Sequence, residues 1–472
     1  MGFNISANDY NVLKQSYVKK FIKLYILDFT LNIVDEISGN LIGLDITIDA
    51  NSDIRRTCNV NLVVNDASFD IQSGGKIWID KYIRPYVGYE NVFTKDIQWY
   101  NQGTYLINNP SWDYDGETNT LKFQGIDMMS RLTGLRNGAL EGIPHVISEG
   151  ENVRNAIINT LNLVNIKKYI VSECMNTDGA IQPVPYDITI EQGGTIYDIL
   201  KALRNILPQY QIYFDSNGVF HYEQIPFGDN EPIILNDDLL GNIVISENIN
   251  TDFENVKNYI EVYGRTHDID NYAVNVTING TNITLDIPSL TTIYDGVMVG
   301  FTMPSNVNGN IMIGVNKQSK RNLVDENGNQ ITALSKDNYY VIVYQASNSN
   351  WLFLGHNQAY AIAKDNNPES PFYVNGTAGI IRIVLYGGEY DNIVSDNLAQ
   401  QRANIELYWR CRLQDSISLS LIPIPWIDVN YIIEYTTAHS MGTYKYMIQS
   451  VSVNYESNEM TINANRYYPY YG

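Results

Sequence analysis

The clearest structural signal in this chain is the stretch Gly43-Leu-Asp-Ile-Thr-Ile-Asp-Ala-Asn-Ser-Asp-Ile-Arg-Arg-Thr-Cys-Asn-Val-Asn-Leu-Val-Val-Asn65. Apolar and polar residues alternate on both sides of a polar segment, which predicts two strands with one buried and one wet face, joined by a turn that carries Arg55 and Arg56. A shorter echo follows, with apolar runs on each side of a polar turn from Glu247 to Glu254. A β unit used twice indicates architecture rather than a single catalytic pocket.

Composition limits the classes of function. A chain of 472 residues is long enough for about three domains, and its 36 tyrosines suit wet interfaces or ordinary strands. The formal charge of −21 disfavours nucleic-acid binding, which needs a basic surface. So acidic a protein can line a passage through which DNA slides without sticking, or its charge can simply provide solubility.

We find no motif that carries catalysis or metal binding. Cys58, Cys174 and Cys411 are far apart and outside any CxxC pair, which argues against a disulfide framework and a zinc site. The histidines lack metal-binding spacing, and neither a nucleophile elbow nor a phosphate loop is present. Asp325-Glu-Asn-Gly-Asn-Gln330 lacks the ligands of a calcium loop and predicts a tight turn. We therefore expect no catalytic residue, cofactor or metal, and also no secretion signal or membrane segment.

The pattern along the chain divides it into five parts. Residues 1–20 are predicted to form an N-terminal arm or short helix, and 21–140 a strand-rich domain. Two helical periods, at about 151–164 and 195–207, and a hairpin at 211–223 place a small α+β domain at 141–238. A second strand-rich domain is predicted from 239–265 plus 369–472, with a helix at about 395–413. A polar β module at 266–368 interrupts it.

Several segments resemble the tail-hub, or baseplate hub, proteins of phages that infect Gram-positive bacteria. Residues 20–135 are similar to the first part of these proteins, and a helix and a proline-containing turn are similar to their final domain. The matching segments are Ile54-Arg-Arg-Thr57, Lys76-Ile-Trp-Ile-Asp-Lys-Tyr-Ile83, Ile97-Gln-Trp-Tyr-Asn-Gln-Gly103, Gly125-Ile-Asp-Met-Met-Ser-Arg-Leu-Thr-Gly134, Leu398-Ala-Gln-Gln-Arg-Ala-Asn-Ile-Glu-Leu407 and Ile422-Pro-Ile-Pro-Trp-Ile-Asp-Val-Asn430. The module at 266–368 is similar to small β modules of phage tail proteins.

The resemblance implies a mainly β chain with a small α+β domain: a tail-hub fold with two β-barrel-like domains and an inserted β module. It also implies a homotrimer around a channel for DNA ejection, whose lumen we expect to carry the acidic surplus. The implied partners are a distal tail or tube ring protein, the tape measure protein and a tip spike or fibre protein. Such a protein is made in the host cytoplasm and resides in the virion tail. Relatives often continue into a fibre, peptidase or lysozyme region, and we expect none in a chain that stops at Gly472.

Two other functions stay open from the sequence. The module at 266–368 would make the chain an adhesin if Tyr339, Tyr344 and Trp351 contacted host carbohydrate, although aromatic strand residues more often belong to a core. The α+β domain would make it a cell-wall hydrolase, but no paired nucleophile and base supports that function. We therefore expect a structural protein rather than an enzyme.

Overall fold

The N-terminal region is one short helix followed by eight strands. The computed structural model describes residues 7–15, 17–39, 41–64, 67–140, 142, 144–176, 179–229, 233–439 and 441–468. Residues 1–6 of the predicted arm lie outside the described residues. The elements of this region are α1 (Ala7–Leu13), β1 (Lys19–Leu27), β2 (Ile33–Ser38), β3 (Leu41–Asp49), β4 (Arg56–Val63), β5 (Tyr82–Glu90), β6 (Ile97–Asn101), β7 (Tyr105–Tyr114) and β8 (Asn119–Asp127).

An α+β region follows, and it contains both predicted helices and the predicted hairpin. Its elements are β9 (His145–Ile147), α2 (Val153–Leu163), β10 (Tyr169–Val171), β11 (Ile188–Ile190), α3 (Ile196–Asn205), β12 (Tyr210–Phe214) and β13 (Phe220–Gln224). Thr195 and Asp198 form a reciprocal capping box that starts α3, and Pro208 prevents its continuation. Asp215 accepts hydrogen bonds from the backbone of Asn217 and Val219, which closes the hairpin turn.

The remaining chain leaves the large sheet, builds the inserted module and returns. Its first part contains β14 (Ile233–Leu235), α4 (Asp237–Ile243), β15 (Val244–Asp252) and β16 (Tyr259–Thr266). The module contains β17 (Asn271–Tyr272), β18 (Asn275–Asn279), β19 (Asn282–Asp286), β20 (Met298–Thr302), β21 (Val307–Asn308), β22 (Met312–Val315), β23 (Arg321–Val324), β24 (Ala333–Leu334), β25 (Tyr339–Gln345) and β26 (Asn350–Gly355). The last part contains β27 (Gln358–Lys364), β28 (Arg382–Leu385), α5 (Asp396–Arg410), β29 (Gln414–Leu421), β30 (Ile432–Thr436), β31 (Thr443–Asn454) and β32 (Glu459–Arg466).

One large sheet unites the two strand-rich regions. Its main path runs β15-β29-β32-β31-β3-β4-β8-β7-β5-β1-β2, with β6, β14 and β30 attached at its sides. Antiparallel pairing of β3 with β31, from Asp45↔Asn454 to Asp49↔Ser450, joins the N-terminal strands to the C-terminal ones. A single apolar core lies behind this junction, since buried residues of both regions and of α1 and α4 pack together.

Among the described residues, four smaller apolar clusters accompany the large one, and the smallest, around Val341 and Leu352, lies within the module. The α+β region has its own core, built on α2, α3 and the β12–β13 hairpin. The module packs around Trp351 and Phe301, and α5 covers one face of a small sheet made of β27, β16 and β28. The mainly β fold class predicted from sequence is therefore correct, while the exact domain boundaries remain predictions.

Two local predictions differ from the structure. The segment from Lys76 to Arg84 alternates like a strand, but only Tyr82 and the residues after it are extended, because tight turns at Gly75 and Lys81 occupy the first half. The stretch from Glu247 to Glu254 was expected to be a turn, yet most of it belongs to β15. That strand pairs with β29, whose residues lie 162 to 177 positions later, instead of with its neighbour β16. Pairing across such a distance has no local sequence signal.

The module enters and leaves the fold at two adjacent strands. Thr266 at the end of β16 is the register partner of Gln358 at the start of β27, and the His267 N–H donates to the Asn357 carbonyl at 2.8 Å. Outside this pair, Gln345 donates to Glu149 at 3.0 Å and Ser395 to Glu326 at 3.0 Å. The two ends of the module are thus already held together by the strands that carry it.

Replacing residues 268–356 by Asn-Gly should leave a folded protein. The dipeptide favours the tight turn that joins paired antiparallel strands, and the module's core is built from its own residues. We expect one cooperative thermal transition within a few degrees of that of the full chain, measured by circular dichroism. A broad, non-cooperative transition would show instead that the module stabilises the rest of the chain.

Candidate functional site: the polar face of the large sheet

The large sheet contains the same four-strand unit twice. In space the first unit runs β3-β4-β8-β7 and the second β15-β29-β32-β31. In both units, the strands that come first, second, fourth and third along the chain lie side by side in that order. The predicted echo at 242–264 is wrong, because β16 belongs to a different sheet, and the second unit is assembled from β15 and from strands that follow the module and α5.

One face of these eight strands is covered mainly by small uncharged polar side chains. Register partners share a face, and the rows Asn248–Ser418–Asn463–Ser450 and Thr57–Thr47–Ser452 run across neighbouring strands. We call this surface the polar face. Its uncharged residues are Thr47, Thr57, Asn59, Asn61, Gln124, Ser246, Asn248, Asn250, Ser416, Ser418, Ser420, Ser450, Ser452, Asn454, Thr461, Asn463 and Asn465.

Charge on the polar face is sparse and mostly negative. In the described strands of the two units, the register places Asp45, Asp49, Asp113, Asp252 and Glu459 on it, together with Lys122 and Lys445. Burial and the nearby Glu456 carboxylate raise the pKa of Asp45. Elsewhere the side chains bond one another, as where the Asn463 amide donates to Ser450 Oγ at 2.9 Å. This surface offers hydrogen-bonding groups but little positive charge.

The repeat leaves one open edge at each end of the eight strands. β31 of the second unit pairs with β3 of the first. In the described part of the chain, the two outer strands of the eight, β7 and β15, do not pair with each other. β5 pairs with β7 only at Leu106 and Tyr105, so the outer half of β7 is open on that side. Trp112 on β7 and Ile245 on β15 are exposed. Such edges are templates for pairing with another chain.

A buried charged cluster joins three regions behind the polar face. Arg55 and Arg56 are only 6% and 3% exposed. Arg56 pairs with Asp428 of the C-terminal region, and its backbone N–H donates to Asp127 at 2.9 Å. Burial is the largest single effect and would lower the pKa of Arg56, but Asp428, Tyr105 and Asp127 together outweigh it and raise the pKa. Burial also raises the pKa of Asp127 to about 6. Arg56 is thus an internal link between the first and last strands.

Arg55 makes the corresponding link to the α+β region. It donates to Gln211 Oε1 at 2.8 Å, and its guanidinium lies 4.1 Å from the centre of the Tyr213 ring. Tyr213 in turn stacks on His221 at 4.8 Å. Burial disfavours a charged His221 ring, but the carboxylates of Asp215 and Glu223 raise its pKa above the ordinary value.

The sequence predicted a polar turn that carries both arginines; Arg55 does lie in this connection, but Arg56 begins β4, and both residues are buried. Arg56 is the first residue of β4 and lies in phase with the buried Cys58, Val60 and Leu62. That phase was the available signal that its side chain points inward. What the sequence could not show was the partner, because Asp428 lies 372 residues away.

The turn that contains Asp428 is itself anchored in the common core. Trp426 is fully buried, with its ring centre 5.3 Å from that of Tyr100. Gln102 donates to the Pro425 carbonyl at 2.8 Å, and the Tyr89 hydroxyl to the Pro423 carbonyl at 3.0 Å. The proline-rich segment therefore holds the C-terminal region against the first strands.

The three candidate carbohydrate contacts do not meet on one surface. Trp351 is fully buried and packs against Tyr344, whose ring centre is 5.3 Å away, inside the core of the module. Tyr339 belongs to a different cluster, on the opposite face of β25. Carbohydrate binding by these residues remains a prediction.

The described residues contain no group of three or more His, Cys, Asp or Glu side chains placed to hold a metal ion. All three cysteines are free and buried. Asp325 closes a turn by accepting from the backbone of Asn327 and Asn329, as the sequence predicted. None of the helices within the described ranges has the length and apolar character that a membrane crossing requires.

Comparison with known proteins connects this fold to phage tails. A family model described as a domain of unknown function, DUF5048, matches residues 369–471. No curated protein matches the sequence. Among solved structures, the 43 kDa tail protein of prophage MuSo2 from Shewanella oneidensis is 10% identical, with a TM-score of 0.50, over 95% of this chain and 98% of that one. The chain has the fold of a phage tail protein.

Two other tail proteins give similar values. The tail protein from Neisseria meningitidis MC58 is 9% identical, with a TM-score of 0.49, over 96% of this chain and 98% of that one. Prophage tail protein gp18 from Listeria monocytogenes EGD-e is 9% identical, with a TM-score of 0.46, over 94% of each chain. The restriction to phages of Gram-positive hosts stays a prediction.

Proposed function

We propose that this chain is a structural hub at the tip or baseplate of a phage tail, where three copies join the tail tube to the tip around a channel for DNA ejection. The polar face is the observation that carries this proposal. Double-stranded DNA binds proteins largely through Lys and Arg contacts to its phosphates. A broad surface of Ser, Thr and Asn with five carboxylates and two lysines lets DNA pass without being held.

The open edges supply a way to close the ring. If β7 of one copy pairs with β15 of the next, this contact between copies repeats the pairing of β31 with β3 inside each chain. Such a head-to-tail contact builds a ring when its rotation closes. Three copies, each with two units, would place six similar units around the channel and extend the polar face around its wall.

The position of such a hub defines its partners. We propose that it contacts a distal tail or tube ring protein on one side, a tip spike or fibre protein on the other, and the tape measure protein inside the tail. Its role is then structural and non-enzymatic, in a virion tail assembled in the host cytoplasm. The buried Arg56–Asp428 pair and the Trp426 turn support this role, since they fix the two units relative to each other.

Native mass spectrometry of the purified chain tests the proposal. We expect a trimer, three times the mass of one 53.6 kDa chain, either alone or with tail partners added. Exchanging Ile245 and Trp112 for lysine should give folded monomers, because charged side chains at strand edges oppose pairing. Leu163→Lys, at an exposed position on α2, is the matched control and should leave the trimer intact. A stable dimer, or a trimer unaffected by the edge substitutions, would contradict this arrangement.

A further inference from the structure

A groove of about 560 Å³ lies between the α+β region, α5 and the last strands. Its walls include Phe227 from the segment after β13, Tyr408 and Trp409 from α5, and Arg412 and Arg466. Phe227 is 49% exposed. Aromatic and arginine side chains from three parts of the chain thus line one concave surface, which we call the arginine groove.

The two arginines of this groove lie over aromatic rings, one that lines the groove and two beside it. The Arg412 guanidinium lies 3.9 Å from the centre of the Tyr408 ring and 5.4 Å from that of Tyr468. Arg466 lies 5.1 Å from the Tyr468 ring and 3.9 Å from the Tyr444 ring. Stacking fixes the plane of each guanidinium and leaves N–H groups at its rim for hydrogen bonds. These arginines are held in place before any partner arrives.

The electrostatics of the arginine groove are opposite to those of the chain as a whole. The chain has 52 acidic and 31 basic residues, yet the groove is lined by two arginines and no carboxylate among the described residues. Arg466 is paired with Asp415 at 3.0 Å. Arg412 donates only to the carbonyls of Tyr408 and Tyr468, and it makes no ion pair within the described part of the chain. No carboxylate of the described residues therefore neutralises its positive charge.

We propose that the arginine groove binds an acidic polypeptide segment of another protein, with a large apolar side chain seated between Phe227 and Trp409 and a carboxylate on Arg412. Tyr, Trp and Arg in a concave site are the residues that dominate protein interfaces. A bidentate contact with a stacked arginine gives a carboxylate both attraction and orientation. That the partner is a tail protein rests on the proposed hub function, whereas the binding itself does not.

Two short peptides distinguish this charge preference from general stickiness. Acetyl-Asp-Leu-Phe-Glu-amide and acetyl-Lys-Leu-Phe-Lys-amide share their apolar residues and differ in charge. Titrated into the full chain and followed by isothermal calorimetry, the acidic peptide should bind at least tenfold more tightly than the basic one. Its affinity should fall with added salt, as expected for exposed charges.

Substitutions in the groove then locate the site. Arg412→Gln and Phe227→Ala should each weaken binding of the acidic peptide at least tenfold, while thermal unfolding shows that both variants remain folded. Arg154→Gln, at a partly exposed arginine on α2, is the matched control and should bind normally. Equal affinity for both peptides, no binding at millimolar concentration, or an unchanged affinity in Arg412→Gln would overturn the proposal.

If the arginine groove holds something other than an acidic partner segment, the binding measurements give different results. Binding that appears only after residues 469–472 are removed would assign the groove to the chain's own end, and self-association lost in Arg412→Gln would assign it to a second copy. Either result would contradict an acidic partner segment. Because the peptides are titrated whatever the oligomeric state, failure of the trimer and failure of this inference are separate outcomes.

Discussion

Replacing Arg56 by alanine should lower the free energy of unfolding by about 3–5 kcal/mol, the cost expected when one partner of a buried ion pair is removed. Asp428 would lose the cation that offsets its own burial, and the link between β4 and the C-terminal turn would be lost with it. Urea unfolding followed by tryptophan fluorescence measures the change, since Trp426 lies in the same segment as Asp428.

Two controls separate the ion pair from other effects. The double variant Arg56→Met with Asp428→Leu should recover much of the loss, because apolar replacements of a buried pair are often neutral or better. Lys122→Ala, at an exposed lysine on the polar face, should change the free energy of unfolding by less than about 0.5 kcal/mol. If Arg56→Ala were as mild as Lys122→Ala, the cluster would not hold the regions together.

A second large effect is expected from positive charge on the polar face. The variant with Asn59, Ser452 and Asn465 changed to lysine should bind a linear DNA duplex at 50 mM salt, whereas the natural chain should show no detectable binding. These three positions are exposed and are not register partners of one another. In a closed ring their lysines surround the DNA, and each one that pairs with a phosphate steepens the salt dependence by about 0.9.

The matched control carries the same added charge elsewhere. Lysines at Asn162, Ser347 and Asn375, which are exposed positions away from the polar face, change the net charge equally but should bind DNA at least tenfold more weakly. Fluorescence anisotropy with a labelled duplex measures both variants. Equal binding by the two sets would mean that net charge alone decides, and that the polar face does not surround the DNA.

Local pattern predicted the elements of this fold far better than their partners. The alternation of Leu44, Ile46 and Ile48 identified β3, and the spacing of Val153, Ile157 and Leu161 identified α2, because each pattern depends only on which side of an element is buried. The pairing of β15 with β29 and of β3 with β31 depends on segments hundreds of residues apart. No periodicity within one segment records such a choice.

For the candidate site, too, local sequence pattern predicted some features and not others. From the sequence we expected surplus acid to face the channel, so that DNA could pass without being bound. The structure instead finds mainly neutral Ser, Thr and Asn across the polar face. The aromatic residues Tyr344 and Trp351 stood out in the sequence, yet their rings complete the core of the module. Only the three-dimensional arrangement shows which conspicuous side chains face outward.

The way the module is attached has a practical consequence. β16 and β27 are antiparallel neighbours, so the two crossings into the module lie about 5 Å apart. Any foreign domain whose first and last residues are close together can be grafted there without changing the register of the strands that carry it. The position between Thr266 and Gln358 is therefore a natural place to attach an enzyme, a fluorescent reporter or a new recognition domain to this protein.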